Sequence, residues 1–424
     1  MSTPLPLMLG ARQNFERTPP VDVPATLRRE LATVLPRVKP GARIAVAVGS
    51  RGIARLPEIV AEVVRVLRDA GAQPFLMPAM GSHGGATPEG QEGILAEYGV
   101  TAATCGAPVR PSLEVRQVGS TPDGAPVWCS TVALGADGII IVNRVKPHTD
   151  FGGSFGSGIM KMAVIGLGKI TGATACHAAA SRLGLAHVIR SMARVILAEA
   201  PVLCGVAIVE NPFHEVARLA VLPREDIERR EEEIFVEARR LMPLLPFADL
   251  DLLIVDRIGK NISGAGMDPN VIGRGVQGYS SSLGRVEAGP PVIRRIFVRD
   301  LTHETQGNAI GLGLADLTTT RAALAVNKRV TYLNSLTSLT PHAAKIPIHF
   351  DTDRECIERA LASLAREDTA GARVVRIADT LSLATMEVSE ALAPAVKTDA
   401  RLTQTHGAVA MDFDGAGNLK PLRE

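Results

Sequence analysis

Short apolar runs alternate with amphipathic stretches along the first half of the chain. Three helical patterns lie between these runs. One begins near Leu56, a second begins after Thr87, which would be its N-cap residue, and a third covers about residues 184–200. The apolar runs predict buried strands, at "RIAVAV" (43–48), "QPFLMPAM" (73–80), "DGIIIVNRVKPH" (137–148) and "GVAIVENP" (205–212). Alternation of this kind is typical of a parallel α/β sheet with helices on its faces.

A change of composition divides the chain near its middle. Residues 223–247 are a highly charged helical stretch that closes with two prolines, which indicates a linker. After it a new strand begins, and a second set of strands and helices continues to about residue 400. We therefore predict an α/β protein of two domains with parallel-rich sheets, at residues 1–247 and 248–400. The tail, residues 401–424, could pack back on the N-terminal domain.

Composition and charge exclude several classes of protein. Of 424 residues, 46 are basic and 44 acidic, which gives a net charge of +2 and no indication of a nucleic-acid or membrane partner. Five scattered cysteines with no CxxC pair argue against a disulfide framework and fit a reducing compartment. The start of the chain has no basic segment before its apolar residues, and the apolar runs are too short to span a bilayer. We expect a soluble cytoplasmic protein.

Residues with catalytic potential follow three of the predicted strands. They lie in Gly49-Ser50-Arg51, in Gly81-Ser82-His83 and in Pro147-His148. Ligands of open α/β sheets bind outside the carboxyl ends of the strands, and a Gly-Ser turn beside an arginine suits a phosphate. The two histidines could face one crevice as acid and base, although each could equally be a loop histidine with only local hydrogen bonds.

A glycine-rich loop and a third histidine complete the candidate residues. The loop "KPHTDFGGSFGSGIMKM" (146–162) joins His148 to Lys161, and His177 follows in "TGATACHAAAS". Imidazole is a common metal ligand, but a lone histidine at a helix start is also often only a hydrogen-bonding partner. The neighbouring Cys176 is expected to be a core residue. Neither HExxH nor GxxxxGK[ST] occurs, and no GxGxxG opens a βα unit, so a conventional zinc hydrolase or nucleotide-binding loop is not supported.

The order of these motifs resembles the nickel-dependent lactate racemase family, whose members carry the nickel-pincer nucleotide. The resemblance rests on the "SR" turn, on "GSHGG" followed by "TPE", on "KPHTDFGGSFGSGIMK" and on the histidine downstream. It covers most of the first 210 residues and continues more loosely through "GKNISGAGMDPN". It implies two α/β domains with the active site in the cleft between them.

The resemblance also implies roles for the candidate residues that bind the cofactor. Lys161 matches the lysine that joins the pincer nucleotide covalently through a thioamide, and His177 matches the nickel ligand. Gly49, Ser50 and Arg51 match the position where the family binds the cofactor phosphate. The family's loop before the lysine is shorter, so Lys161 requires a small insertion and Lys169 is the fallback.

The activity implied by the resemblance is racemisation or epimerisation of a 2-hydroxy acid. His83 and His148 match the acid/base pair on opposite faces of the substrate, while the nickel-pincer nucleotide takes up the hydride and a 2-keto acid forms transiently. Lys260 and Arg274 are candidates, by analogy of layout, for binding the substrate carboxylate, although either could be a solvated loop charge. The polar loop around them favours a lactate-like acid or a sugar acid such as an aldonate.

Other functions remain open from the sequence alone. A homologue with altered catalysis would keep the cofactor residues and only bind a ligand, and an NAD-dependent 2-hydroxyacid dehydrogenase would show net oxidation without nickel. A non-enzymatic interaction module is disfavoured by the polar groups at so many strand ends. The expected partner is a small 2-hydroxy acid rather than a nucleic acid or membrane, and a homo-oligomer is left open.

Overall fold

The computed structural model describes residues 4–49, 52–276 and 291–423. The described residues form two compact units. One contains residues 17–49 and 52–242, and is called the first unit. The other contains residues 4–16, 243–276 and 291–423, and is called the second unit.

The described residues contain both strands and helices throughout. The strands are β1 (Met8–Gln13), β2 (Arg43–Val48), β3 (Gln73–Pro78), β4 (Val115–Ser120), β5 (Pro126–Ser130), β6 (Gly138–Arg144), β7 (Val202–Glu210), β8 (Val216–Pro223), β9 (Asp249–Ile258), β10 (Val292–Leu301), β11 (Leu317–Thr319), β12 (Ile348–Phe350), β13 (Val374–Asp379), β14 (Ser382–Ser389) and β15 (Leu402–Val409). The α-helices are α1 (Val23–Leu31), α2 (Leu56–Asp69), α3 (Pro88–Glu97), α4 (Ala102–Cys105), α5 (Thr131–Leu134), α6 (Ile159–Lys161), α7 (Leu167–Leu183), α8 (Leu185–Glu199), α9 (Ile227–Leu241), α10 (Pro269–Ile272), α11 (Thr320–Leu324), α12 (Lys328–Thr337), α13 (Asp353–Ala362) and α14 (Ala393–Thr398).

The first unit is built on a five-stranded sheet in the order β3-β2-β6-β7-β8. The first four strands are parallel, and β8 is antiparallel to β7. Side chains alternate between the two faces, as they must in a strand, so Ala45 and Ala47 enter one core while Val46 and Val48 enter the other. Because β3, β2 and β6 are parallel, their carboxyl ends share one edge of the sheet. The predicted parallel α/β sheet is confirmed.

The second unit contains an eight-stranded mixed sheet in the order β12-β11-β10-β9-β13-β14-β1-β15. The strands from β12 to β13 are parallel, and β14, β1 and β15 pair antiparallel. The sequence division assigned residues 1–16 to the N-terminal domain, but β1 pairs with β14 and β15 here. Pairing of β1 with strands near the opposite end of the chain leaves no local sequence signal. The strand in the tail belongs to this same sheet.

The helical stretch Ile159–Leu183 is long and apolar enough for a membrane span by length and composition. Its mean hydropathy is 1.3, and 61% of the 18-residue segment that meets these criteria is buried inside the protein. Met160, Val164, Leu167 and Cys176 contribute to the core beneath the first unit's sheet. We therefore interpret it as a core helix.

Candidate active site

Three chain segments leave the carboxyl edge of the first unit's sheet side by side. The amide of Gly49, after β2, donates to Val142 O of β6 at 3.0 Å, and the amide of Ala79, after β3, donates to Val48 O at 2.8 Å. These bonds continue the sheet by one residue on two strands. The segment after β3 leads to His83, and the segment after β6 leads to His148. Ser50 and Arg51 lie outside the described residues.

The glycine-rich loop after β6 folds back on itself. Lys146 and Ser157 exchange backbone hydrogen bonds of 2.9 and 2.8 Å, which closes the loop like a hairpin. A Cβ on Gly156 would collide with Lys146 O and lie 3.0 Å from the amide nitrogen of His148. Glycine is therefore required where the returning chain passes His148. The returning limb leads directly into α6, which carries Lys161.

His148 is buried, with 6% of its surface exposed. The backbone amide of Asp150 donates to its Nδ1 at 3.0 Å, so Nδ1 is an acceptor and the neutral ring carries its proton on Nε2. The imidazole also stacks on Phe151, with ring centroids 4.4 Å apart and an interplanar angle of 22°. The ring is thus fixed in orientation and in a tautomer whose Nε2–H is a donor, and uptake of a proton at Nε2 requires the tautomer that carries its proton on Nδ1 instead.

His83 is partly buried and begins the tight turn Gly84–Ala86. Gly84 has φ +61°, and a Cβ there would collide with the backbone of Gly90 in α3. Thr87 caps α3, as predicted, by accepting a hydrogen bond of 3.0 Å from the Gly90 amide. The turn that carries His83 is therefore packed directly against the first turn of α3.

Lys161 and His177 lie on the helical stretch that follows the loop, and both are partly buried. Burial lowers the pKa of His177; the nearby Asp150 raises this pKa and Lys161 lowers it. His177 is thus close enough to Lys161 and to the loop of His148 to interact electrostatically with both. Its pKa below the usual histidine range favours the neutral imidazole, the form that ligates metals.

The set of side chains that could ligate a metal ion beside His177 is small. Within residues 4–49, 52–276 and 291–423, no group of three or more His, Cys, Asp or Glu side chains could hold a metal ion. Cys176 is fully buried, and burial raises the pKa of its thiol to about 12, so it is a core residue as predicted. One neutral imidazole and one lysine amine fit a metal group that brings its remaining ligands with it.

Two further ionisable residues are buried beside the site, and the sequence assigned no role to the first of them. Glu231 of α9 is fully buried and accepts a hydrogen bond of 3.0 Å from the Met160 amide, in the first turn of α6. Its sequence signal is a carboxylate on the apolar stripe of α9, together with Ile227 and Ile234. The second is Lys169, the fallback for the cofactor lysine. It is fully buried in α7, and burial lowers its pKa to about 8.

The two candidates for binding the substrate carboxylate lie in the second unit. Lys260 Nζ donates to Gly264 O at 2.8 Å. Arg274 donates to Leu314 O at 2.8 Å and forms an ion pair with Asp316 at 2.6 Å. Both cations thus have partners within their own unit, and their roles toward a substrate stay predictions.

Comparison with known proteins identifies this part of the chain. Residues 31–184 match the family described as lactate racemase N-terminal domain. The match covers 154 of the 424 residues, and it shows that this part of the chain is similar to lactate racemases. The matched range includes Gly49, His83, His148, Lys161 and His177, so the resemblance read from these motifs is confirmed.

The fold comparison agrees with the domain match. The chain is similar to the lactate racemase apoprotein from Thermoanaerobacterium thermosaccharolyticum, with 14% identity and a TM-score of 0.53. The similarity covers 88% of this chain and 94% of that one. It therefore supports a shared fold over nearly the whole length. No curated protein matches the sequence significantly.

Proposed function

We propose that the protein is an isomerase that racemises or epimerises a 2-hydroxy acid and depends on a nickel-pincer nucleotide. The observation that carries the proposal is the convergence at one sheet edge. The loops after β3 and β6 each bring one imidazole to this edge, and the helix beside them carries a lysine and a third histidine. The lactate racemase N-terminal domain supports an isomerase activity.

Inversion at the hydroxyl-bearing carbon requires removal of a hydrogen that the neighbouring carboxylate does not acidify. No side chain accepts a hydride, so the bound cofactor supplies the hydride acceptor. What the protein must provide is a base for the hydroxyl proton on either face of the substrate. His83 and His148 take these roles, and each acts as base in one direction and as acid in the other. His148 acts as a base through Nε2 when its proton is on Nδ1, which requires release of the hydrogen bond from the Asp150 amide. The buried Phe151 beside it suits a site that excludes water.

The cofactor would be held by residues of the first unit. His177 would ligate the nickel through its neutral imidazole, and the amine of Lys161 would form the covalent thioamide link. The backbone around Gly49 would accept the cofactor phosphate together with Ser50 and Arg51. In support, a Cβ on Gly49 would collide with Asn143, so only glycine lets the chain pass this closely at the end of β2.

The substrate is proposed to be a lactate-like acid or a sugar acid such as an aldonate. Lactate is the acid in the name of the structurally similar enzyme. The loop of residues 259–270 is polar and contains no aromatic side chain, which suits hydroxyl groups better than an aryl group. Lys260 lies in this loop and Arg274 follows it, and both are proposed to bind the carboxylate. We further propose a cytoplasmic location.

The deciding experiment uses protein produced together with the enzymes that build the cofactor. Single enantiomers of lactate, malate and gluconate are incubated with it, and the product configuration is measured by chiral chromatography. His83→Ala and His148→Ala should each lower kcat by at least about 10²-fold while nickel content is retained. His187→Ala is the matched control, because this exposed histidine pairs only with Asp123 among the described contacts.

The outcomes separate the competing functions. Substantial racemisation by either His83→Ala or His148→Ala would refute the two-base assignment. Net oxidation that requires NAD and no nickel would establish a dehydrogenase instead. Binding of nickel and ligand without turnover of any acid would indicate a homologue that has lost catalysis.

A further inference from the structure

The backbone of Lys169 has a conformation that side chains rarely adopt. Within the helix α7, this residue has φ +56° and ψ −157° and interrupts the helical geometry. Glycine adopts this region freely, whereas a residue with a Cβ is strained there. A lysine at a position whose backbone favours glycine indicates that its side chain is needed.

The side chain of Lys169 is directed to the end of β3. It is fully buried. Its Nζ donates to the carbonyl oxygen of Pro78, which is the last residue of that strand, and to Gln91 Oε1 at 3.2 Å. Buried lysine is rare unless its donors are satisfied, because an ammonium loses its hydration. Here two acceptors from different elements offset that loss.

Gln91 extends the same network toward His83. It is fully buried in α3, and its Nε2 donates to Met80 O at 3.3 Å and to Gly81 O at 2.8 Å. Together the two side chains therefore bind three backbone carbonyl groups between the last residue of β3 and His83. The amide group of Gln91 is used fully, since its oxygen accepts from Lys169.

The segment Pro78–Gly81 also packs against the helix that carries the cofactor residues. A Cβ on Gly81 would lie 3.3 Å from the Ile165 side chain and 3.4 Å from the Cβ of Ala173. A Cβ on Gly166 would lie 3.0 Å from Ala79. The path of the chain toward His83 is thus set against this helix by close contacts, and the Lys169–Gln91 network fixes it there by hydrogen bonds.

We propose that Lys169 and Gln91 are positioning residues for His83, which hold its loop at a fixed place relative to the helix of Lys161 and His177. The expected effect on catalysis rests on the proposed function. The expected effect on the structure of the loop does not. In this role Lys169 does not link the cofactor, because its amine is bound to Pro78 O and Gln91 Oε1.

The test compares Lys169→Met, Lys169→Gly and Gln91→Glu with the wild-type enzyme loaded with cofactor. Lys169→Met keeps the length of the side chain but removes the donors, and Lys169→Gly removes both the donors and the strain. Gln91→Glu still accepts from Lys169 but cannot donate to Met80 O and Gly81 O. All three should lower kcat by about 10- to 100-fold, with KM and nickel content within about twofold, since misplacement by about 1 Å has this effect.

Amide hydrogen exchange of residues 79–87 gives a second readout that does not depend on activity. In the three variants this segment should exchange at least about tenfold faster, while the sheet strands keep their wild-type rates. The control is Thr318→Val in the second unit, where the lost hydroxyl donates to Val298 O at 2.8 Å. It removes one buried hydrogen bond to a backbone carbonyl, where each of the other variants removes two buried hydrogen bonds, and it should leave both kcat and the exchange of residues 79–87 unchanged.

Each outcome decides the inference. Wild-type kcat in Lys169→Met, or unchanged exchange of residues 79–87, would overturn it. Acceleration spread equally over the whole first unit would also overturn it, because the network would then serve stability in general. If wild-type protein racemises no acid, the proposed function fails, and the exchange result alone decides whether the network positions the loop.

Discussion

The amide of Met160 donates to Oε2 of Glu231 at 3.0 Å, which places a fully buried carboxyl group at the start of the helix that carries Lys161. A Cβ on the neighbouring Gly158 would collide with the other carboxylate oxygen. Burial raises the pKa of Glu231 to about 7, against the opposing effect of the Met160 and Ile159 amides. The contact that holds the start of this helix therefore depends on whether the carboxyl group of Glu231 is protonated.

Stability should depend on pH through Glu231. Below pH 4.5, its ordinary pKa, the group is protonated in both states and adds no dependence. Between 4.5 and about 7 only the folded state keeps the proton, so stability falls as pH rises, by up to about 3 kcal/mol. Glu231→Gln removes this titration. Urea unfolding at pH 4.5 and 8 should show the variant gaining stability relative to wild type at the higher pH; parallel pH profiles would contradict the assignment.

Gly49→Ala should destabilise the first unit and weaken cofactor binding. The added Cβ would collide with Asn143, whose Nδ2 donates to Gly158 O at 3.1 Å just before the helix of Lys161. We expect a loss of about 1–3 kcal/mol in the free energy of unfolding, as for other overpacked sites, and reduced nickel content. Gly93→Ala is the control, because open space surrounds this position in α3 and alanine should stabilise the helix by about 0.5–1 kcal/mol. Equal effects of both substitutions would exclude the steric explanation.

Lys161→Ala and His177→Ala should separate the two modes of cofactor attachment. Intact mass spectrometry should show an adduct on wild type that is lost in Lys161→Ala and retained in His177→Ala. Metal analysis should show the nickel content falling at least about tenfold in His177→Ala, because a ligand to the metal is lost. An adduct that persists in Lys161→Ala would disprove the covalent role of this lysine. Nickel without any adduct in wild type would indicate a cofactor held by non-covalent contacts.

Phe151→Leu should impair the orientation of His148 and leave the fold intact. The stacked pair, with centroids 4.4 Å apart, contributes about 0.5–1.5 kcal/mol beyond burial, so kcat should fall about threefold to tenfold at unchanged nickel content. Phe247→Leu is the matched control, since it removes a buried phenylalanine from the second unit. A decrease of kcat in the control as large as that in Phe151→Leu would show that general destabilisation is responsible.

The parallel sheet of the first unit was predictable because its strands are short, apolar and bounded by turn residues. Its carboxyl-edge histidines, His83 and His148, follow from the same pattern. The position of β1 was not predictable, because its partners lie near the other end of the chain and no local pattern encodes a pairing over that distance. The role of Lys169 was hidden for a different reason: its backbone angles and its acceptor at Pro78 exist only in the folded chain.

The irregular helix between Lys161 and His177 changes the directions in which these two side chains project from the helix axis. Sixteen residues separate the two side chains, and on an uninterrupted α-helix they would project about 160° apart, toward nearly opposite sides. The stretch Met162–Gly166 is π-helical, and its wider turn holds about one extra residue, which rotates all that follows back by about 100°. This rotation brings the amine and the imidazole closer to one side of the helix, and the break at Lys169 changes their angular relation further. Deleting a single residue from Met162–Gly166 would retain both groups and turn them away from each other.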